Sequence, residues 1–223
     1  MTTTNAFARG VSALLNRMVE RDLILLVNPV AIDGDRVWWR SPTPLEKFVD
    51  FADYATIRTY SRWVTSNEYT ALLPDGSLLQ LHYTLREGVI QKHRLAFVPC
   101  PYRIPEDLLQ TDGIIDILDL FADTPHEEIT AQTIVRVDYD PAAASDGHPA
   151  AHITLNVASC RIACEAPMTP EDFVGFIFRS FYVDLWRDNR SFFDGFKRSS
   201  MPGTLQDSER LSPHLAWRRE IAT

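Results

Sequence analysis

Two histidines, four cations and two carboxylates fall where strand alternation would bring them to one surface. Successive side chains of a β-strand point to opposite faces. In residues 133–140, Val135, Val137 and Tyr139 therefore share one side, and Arg136, Asp138 and Asp140 the other. In residues 152–157, Ile153, Leu155 and Val157 oppose His152, Thr154 and Asn156. Residues 160–165 place Ile162 with Cys160 and Cys164, which leaves Arg161 on the polar side. In residues 78–85, Leu79, Leu81, Tyr83 and Leu85 turn inward while Gln80, His82 and Thr84 turn out. Its neighbour, residues 89–98, is less regular. There Lys92 and Arg94 share a side with Ile90 and Ala96, and His93 falls with Leu95 and Phe97 as a core histidine.

A single sheet built from these strands would gather His82, Lys92, Arg94, Arg136, Asp138, Asp140, His152 and Arg161 on one face. The loop 141–151 would overhang it, carrying Asp146 and His148. Such a set suits phosphate chemistry. Lys92, Arg94, Arg136 and Arg161 would bind a phosphodiester, His148 and His152 would exchange protons near neutral pH, and Asp138 would orient a histidine. His82, Asp140 and Tyr139 would support them. A ribose 2′-hydroxyl is the natural nucleophile, with no cofactor required. Asp138, Asp140, His148 and His152 are also residue types that bind transition metals, which makes a metal-dependent hydrolase a third reading. An ordinary solvated sheet face would show the same alternation with no function at all.

Thirty acids against 22 lysines and arginines give the chain a net charge of −8. That argues against a general nucleic-acid coat, whose affinity comes from many cations on phosphates, but it allows a local basic groove. The standard phosphate-loop, dinucleotide and nucleophile-elbow signatures are missing. His126-Glu127-Glu128 begins like a zinc-protease motif, but Thr130 stands where the second histidine belongs. No run approaches the roughly 20 apolar residues that span a bilayer, so a cytoplasmic protein with no membrane partner is expected. Cys100, Cys160 and Cys164 lack metal-site or redox spacing and are expected as buried, reduced thiols.

Positioning these residues requires a sheet and its cover. Phe7, Val11, Leu14, Leu15 and Met18 repeat at helical spacing. Residues 23–32 and 36–40 flank Asp33-Gly34 and predict a hairpin. Residues 45–54 predict a short helix, and residues 56–73, rich in Thr, Tyr, Trp and Val, predict strands. Trp38-Trp39 offers a surface for stacking bases, although adjacency on a strand sends at least one indole to the core. Pro74-Asp75-Gly76 is a turn. Ile114, Ile117, Leu118 and Phe121 predict another amphipathic helix. Thr169-Pro170-Glu171-Asp172 starts a further helix, with Phe173, Ile177, Phe181 and Leu185 as its core stripe. Clustered strands predict an α+β fold, a single domain over residues 1–196 with a mainly antiparallel sheet of about 6–8 strands packed by amphipathic helices. Residues 197–223 read as a polar tail or docking segment, with Leu215, Ala216 and Trp217 as its anchor.

The run Arg136-Val137-Asp138-Tyr139-Asp140-Pro141, followed by His148-Pro149-Ala150-Ala151-His152, resembles two bacterial groups. One is an uncharacterised family, a domain of unknown function. It looks similar at Asp75-Gly76-Ser77-Leu78-Leu79-Gln80, at Lys92-His93-Arg94-Leu95, at Pro99-Cys100-Pro101 and again across residues 136–182. The other is the TumE-type toxins of toxin–antitoxin pairs, similar only across residues 136–152, with the order of acid and aromatic at Asp138-Tyr139 reversed. The resemblance implies a cytoplasmic bacterial protein of a toxin–antitoxin or antiphage-defence system, acting on RNA or a nucleotide. A metal-independent endoribonuclease is the leading reading. The rival is a non-catalytic subunit that docks on a nuclease, helicase or antitoxin encoded nearby, using the chain's many aromatic residues.

Overall fold

The computed structural model describes residues 3–40, 57–113, 116–117, 120–121, 132–197 and 201–217. Helix α1 (Thr3–Val19) follows its apolar stripe. Val11, Leu14, Leu15 and Met18 are buried, and Phe7 packs edge-on against Tyr83 with ring centroids 5.1 Å apart. After β1 (Leu26–Val27), strands β2 (Val30–Asp33) and β3 (Arg36–Trp39) form the expected hairpin. Gly34, at φ +60, accommodates the two-residue connection.

Residues 57–65 correct the expectation of strands. They form helix α2 (Ile57–Thr65), which buries Tyr60, Trp63 and Val64. The spacing i, i+3, i+4 places these three on one helical side, so burial of a common face outweighs the strand preference of the individual residues. Only β4 (Ala71–Leu72) is extended in this stretch. The long hairpin of β5 (Leu78–Arg86) and β6 (Val89–Val98) forms the centre of the sheet. Helix α3 (Glu106–Thr111) follows Pro105 and has no counterpart in the sequence reading. The helix expected at residues 45–54 and the His126 motif lie outside the described residues. Of the helix expected near residue 114, Ile117 is described and buried.

Strands β7 (Val135–Tyr139) and β9 (Arg161–Cys164) form within the expected segments, and β8 (Ala151–Leu155) begins one residue ahead of its own. Helix α4 (Pro170–Phe181) begins with a reciprocal cap: Thr169 Oγ1 accepts from the Asp172 backbone N–H, and Asp172 Oδ2 accepts from that of Thr169, both at 3.1 Å. Phe173, Val174, Ile177 and Phe178 are buried, whereas Phe181 is exposed because the helix ends there. Short helices α5 (Val183–Asp188), α6 (Arg190–Asp194) and α7 (Asp207–Arg210) follow. Strand β10 (His214–Leu215) then pairs parallel to β9.

Among the described residues the strands make one ten-stranded sheet in the order β1-β4-β5-β6-β7-β8-β9-β10, with the β2–β3 hairpin joined through β3 to β5. All pairings except β9–β10 are antiparallel, giving the α+β architecture. The fold is therefore the one expected, and short pairings at the edges extend the sheet. On one face, α1 and α4 bury the strand residues Leu79, Leu81, Tyr83, Leu95, Val137 and Ile153. On the other, a second cluster joins Tyr60, Trp63 and Val64 of α2 to Leu72, Leu78, Ala96 and Val98. This second cover sits at the Leu78 end of β5, opposite the end that carries His82 and Thr84. Residues 201–217 run along the β9 edge: Thr204 N–H donates to the Glu165 carbonyl, and Met201, Leu215 and Trp217 pack against the main core. Cys100 and Cys164 are buried, but Cys160 is exposed in the β8–β9 connection, a correction to the expected burial of all three thiols.

Candidate phosphate-ester site

Strand register converts the sequence alternation into rows running across the sheet. One row is Gln80–Ala96–Arg136–Thr154–Arg161. The next is His82–Arg94–Asp138–His152–Ala163. A third begins Thr84–Lys92, and Asp140, just beyond β7, reaches the Lys92 ammonium. All these residues share the face opposite α1 and α4. Burial grades along it, from Gln80 beneath the second apolar cluster to Lys92 at the open end.

Asp138 is the electrostatic centre. It is 6% exposed, and its Oδ2 accepts from Arg136 Nε at 2.6 Å. Arg94 Nε lies 3.8 Å from Oδ1, and His152 Nε2 lies 3.7 Å from Oδ2. The last separation is too long for a hydrogen bond. His152 is held instead through its other nitrogen, with Nδ1 2.8 Å from the Pro149 carbonyl oxygen. A carbonyl only accepts, so Nδ1 carries the hydrogen and the neutral ring keeps a lone pair on Nε2. Burial lowers the His152 pKa, while the Pro149 bond and Asp138 oppose that shift.

The loop before β8 is built to deliver His148. Asp140 caps a 3₁₀ turn (Pro141–Ala143), Gly147 takes φ +70, and Ser145 and His148 exchange backbone hydrogen bonds at 2.9 and 3.0 Å. The His148 and His152 rings meet edge to face with centroids 4.9 Å apart. Around them Asp138, Arg94, Arg136 and Arg161 line a cleft of about 160 Å³. Burial works to raise the Asp140 carboxyl pKa, but the Lys92 ammonium outweighs it and holds the group below its usual value.

A second cleft, of about 360 Å³, shares Lys92 and Arg94 as its wall and is lined further by Arg36, Trp38, Trp39, His82 and Thr84. His82 therefore belongs to a neighbouring subsite and not to the His148–His152 pair. Burial, followed by Arg36, Arg94 and Lys92, pushes its pKa down to about 4. The sequence offers Trp38 only as a stacking surface and gives no sign of Arg36 here, because pairing of β3 with β5 is not written in local alternation. Tyr139 does not join the polar face: its ring packs toward His93 on the core side. His93 is the expected core histidine, with Nε2 accepting from the Met168 backbone N–H at 3.0 Å. Among the described residues no three His, Cys, Asp or Glu side chains converge to hold a metal ion. The Asp138, Asp140, His148 and His152 ligand set therefore has no geometric support, since both carboxylates are taken up by cations.

The chain matches, over residues 26–217, the family described as an uncharacterised conserved protein, DUF2290. It belongs to that family. The match accords with the first resemblance found in the sequence and lends nothing to the toxin likeness. No curated protein and no solved structure matches the chain. No helix among the described residues of this family member is long and apolar enough to cross a membrane.

The two carboxylates of the site separate by burial. Asp138→Ala removes the carboxylate that meets Arg136 Nε at 2.6 Å, where both side chains are about a tenth exposed. The expected cost is about 2 kcal/mol, the usual size of a hydrogen bond between charged groups away from water. Asp140→Ala, which frees the half-exposed Lys92, should cost under about 1 kcal/mol. Urea denaturation of both variants checks this, and equal losses would contradict the burial difference.

Proposed function

We propose that the polar sheet face is the active site of a metal-independent endoribonuclease, serving as the effector of a bacterial conflict system. The observation that carries this reading is the His148–His152 pair, 4.9 Å apart between ring centroids, in a cleft walled by Arg94, Arg136 and Arg161. The local charge supports it too. Lys92, Arg94, Arg136 and Arg161 outnumber Asp138 and Asp140 here, although the whole chain carries −8.

His152 is the base, because its tautomer leaves Nε2 unprotonated and burial keeps the ring neutral. It takes the proton of a ribose 2′-hydroxyl as that oxygen attacks the adjacent phosphorus. His148 gives a proton to the departing 5′-oxygen as the P–O bond breaks. The products are a 2′,3′-cyclic phosphate and a free 5′-hydroxyl, so atoms and charge balance without a co-reactant. The arginines stabilise the charge that develops on the non-bridging oxygens. The rival docking-subunit reading loses its nominated anchor, since Leu215 and Trp217 pack against this chain's own core.

The test is purified protein on RNA and on single-stranded DNA of the same sequence, each with and without EDTA. Cleavage confined to RNA and indifferent to EDTA is expected. Equal cleavage of DNA would exclude the 2′-hydroxyl as nucleophile, and loss with EDTA would require a metal. No cleavage under any condition would leave the face as solvated sheet.

A further inference from the structure

We infer that the larger cleft is a nucleobase subsite, in which a base of single-stranded RNA stacks on Trp38 while Lys92 and Arg94 hold the phosphates between that base and the His148–His152 pair. The inference deepens the proposed function and rests on it for the choice of RNA. Four observations lead to it.

The first is placement. Arg36 pairs with Thr84 and Val37 with Tyr83, so alternation puts Arg36 and Trp38 on the polar face beside the His82 row. The Trp38 and His82 rings confirm that register, with centroids 5.3 Å apart and planes 35° from parallel. The row thus continues as Trp38–His82–Arg94–Asp138–His152, an aromatic end and an imidazole end joined through an arginine.

The second is continuity. The two clefts share Lys92 and Arg94, so an extended ligand can pass from one to the other along a single basic wall. From β3 to β8 there are four strand steps, a span of roughly 19 Å at the usual strand spacing. One nucleotide cannot bridge that distance, whereas a short oligonucleotide can.

The third is chemistry. The larger cleft joins a half-buried indole to three cations, Arg36, Lys92 and Arg94. Aromatic faces bind bases without regard to sequence, and cations follow the backbone. His82 adds no charge at neutral pH, and its buried Nε2 has no hydrogen-bond partner among the described residues.

The fourth is the kind of strand accommodated. A duplex keeps its bases stacked on one another, so only an unpaired strand can present one to Trp38.

The experiment uses a fluorescently labelled, single-stranded 2′-O-methyl oligoribonucleotide long enough to span both clefts. Its blocked 2′-oxygen prevents cleavage, so anisotropy reads binding alone. Wild type should bind measurably. Trp38→Ala should bind roughly tenfold more weakly, and Trp38→Phe, which keeps a stacking face and guards against a folding defect, should keep most of the affinity. Equal binding by Trp38→Ala and wild type would overturn the subsite, as would equal affinity for the duplex or no binding by wild type. The two readings can fail separately. RNA cleavage with undiminished Trp38→Ala binding removes the subsite and keeps the nuclease. Binding that needs Trp38, in a protein that cuts no RNA, keeps the subsite and removes the catalysis.

Discussion

RNA cleavage should fall by roughly 10²–10⁴-fold in either His148→Ala or His152→Asn, the usual range for loss of one proton-transfer group. The two substitutions are chosen for what they leave intact. His148 lies on the half-exposed loop closed by the Ser145 pairing, so truncating it exposes no core. His152 is 3% exposed and tied to the Pro149 carbonyl. Asparagine can still donate a hydrogen bond to that carbonyl but offers no imidazole lone pair at the former Nε2. Both variants should therefore melt near the wild-type temperature while losing turnover. A His152→Asn protein that unfolds would assign the ring to structure, and folded variants with full activity would remove both histidines from the mechanism.

The same geometry fixes the direction of the pH profile. Burial depresses the His152 pKa, so the base remains unprotonated below the ordinary histidine value of about 6.5. The acid limb of kcat/KM should accordingly lie below that value. Asp138→Asn removes the carboxylate that opposes the depression and should move the limb further toward acid. A limb above the ordinary value would contradict assignment of His152 as base.

Stability should decline steeply as pH falls below about 6.5, because buried neutral histidines oppose protonation. Burial pushes His93 down to about 3 and His82 down to about 4. Between those values and about 6.5 the unfolded chain binds protons that the native fold refuses, so stability is full above the unfolded pKa and is lost on acidification. Each histidine contributes about 1.4 kcal/mol per pH unit across its window. With both titrating, the loss between neutrality and pH ~4 reaches several kcal/mol, comparable to the whole stability of many domains. His93 has a particular reason to resist, since protonating Nε2 would break the bond it accepts from the Met168 N–H. His93→Gln can keep an acceptor there without the charge. Urea denaturation at neutral and acidic pH should show a shallower decline in that variant, and an unchanged slope would clear His93 as the sensor.

The distribution of side chains between the two sheet faces was legible in the sequence, because alternation is a local property of each strand. Val135, Val137 and Ile153 went to the core and Arg136, Asp138 and His152 to the polar side, as their spacing demands. The helical stripe of α1 was legible for the same reason. Helix α2 was not: Tyr60, Trp63 and Val64 have strand-forming character one by one, and only the apolar patch of Leu72, Leu78 and Ala96 gives them a reason to share a helical face. The C-terminal segment read as polar tail, yet the open edge of β9 and a place in the core for Leu215 and Trp217 draw it into the sheet.

The same boundary runs through the site. Local periodicity determined which residue types share the polar face. It said nothing about which residue of one strand stands opposite which residue of the next, since that depends on loops and on burial elsewhere. The tertiary structure decided that His82, Arg94, Asp138 and His152 form one row, that His148 folds back to within reach of His152, and that Asp138 pairs with arginine instead of orienting a histidine. It also carried Arg36 and Trp38, a hundred or more positions earlier than Asp138, to the end of that row. Alternation follows from the geometry of a single strand, whereas register and coverage are set by the joint burial of two sheet faces.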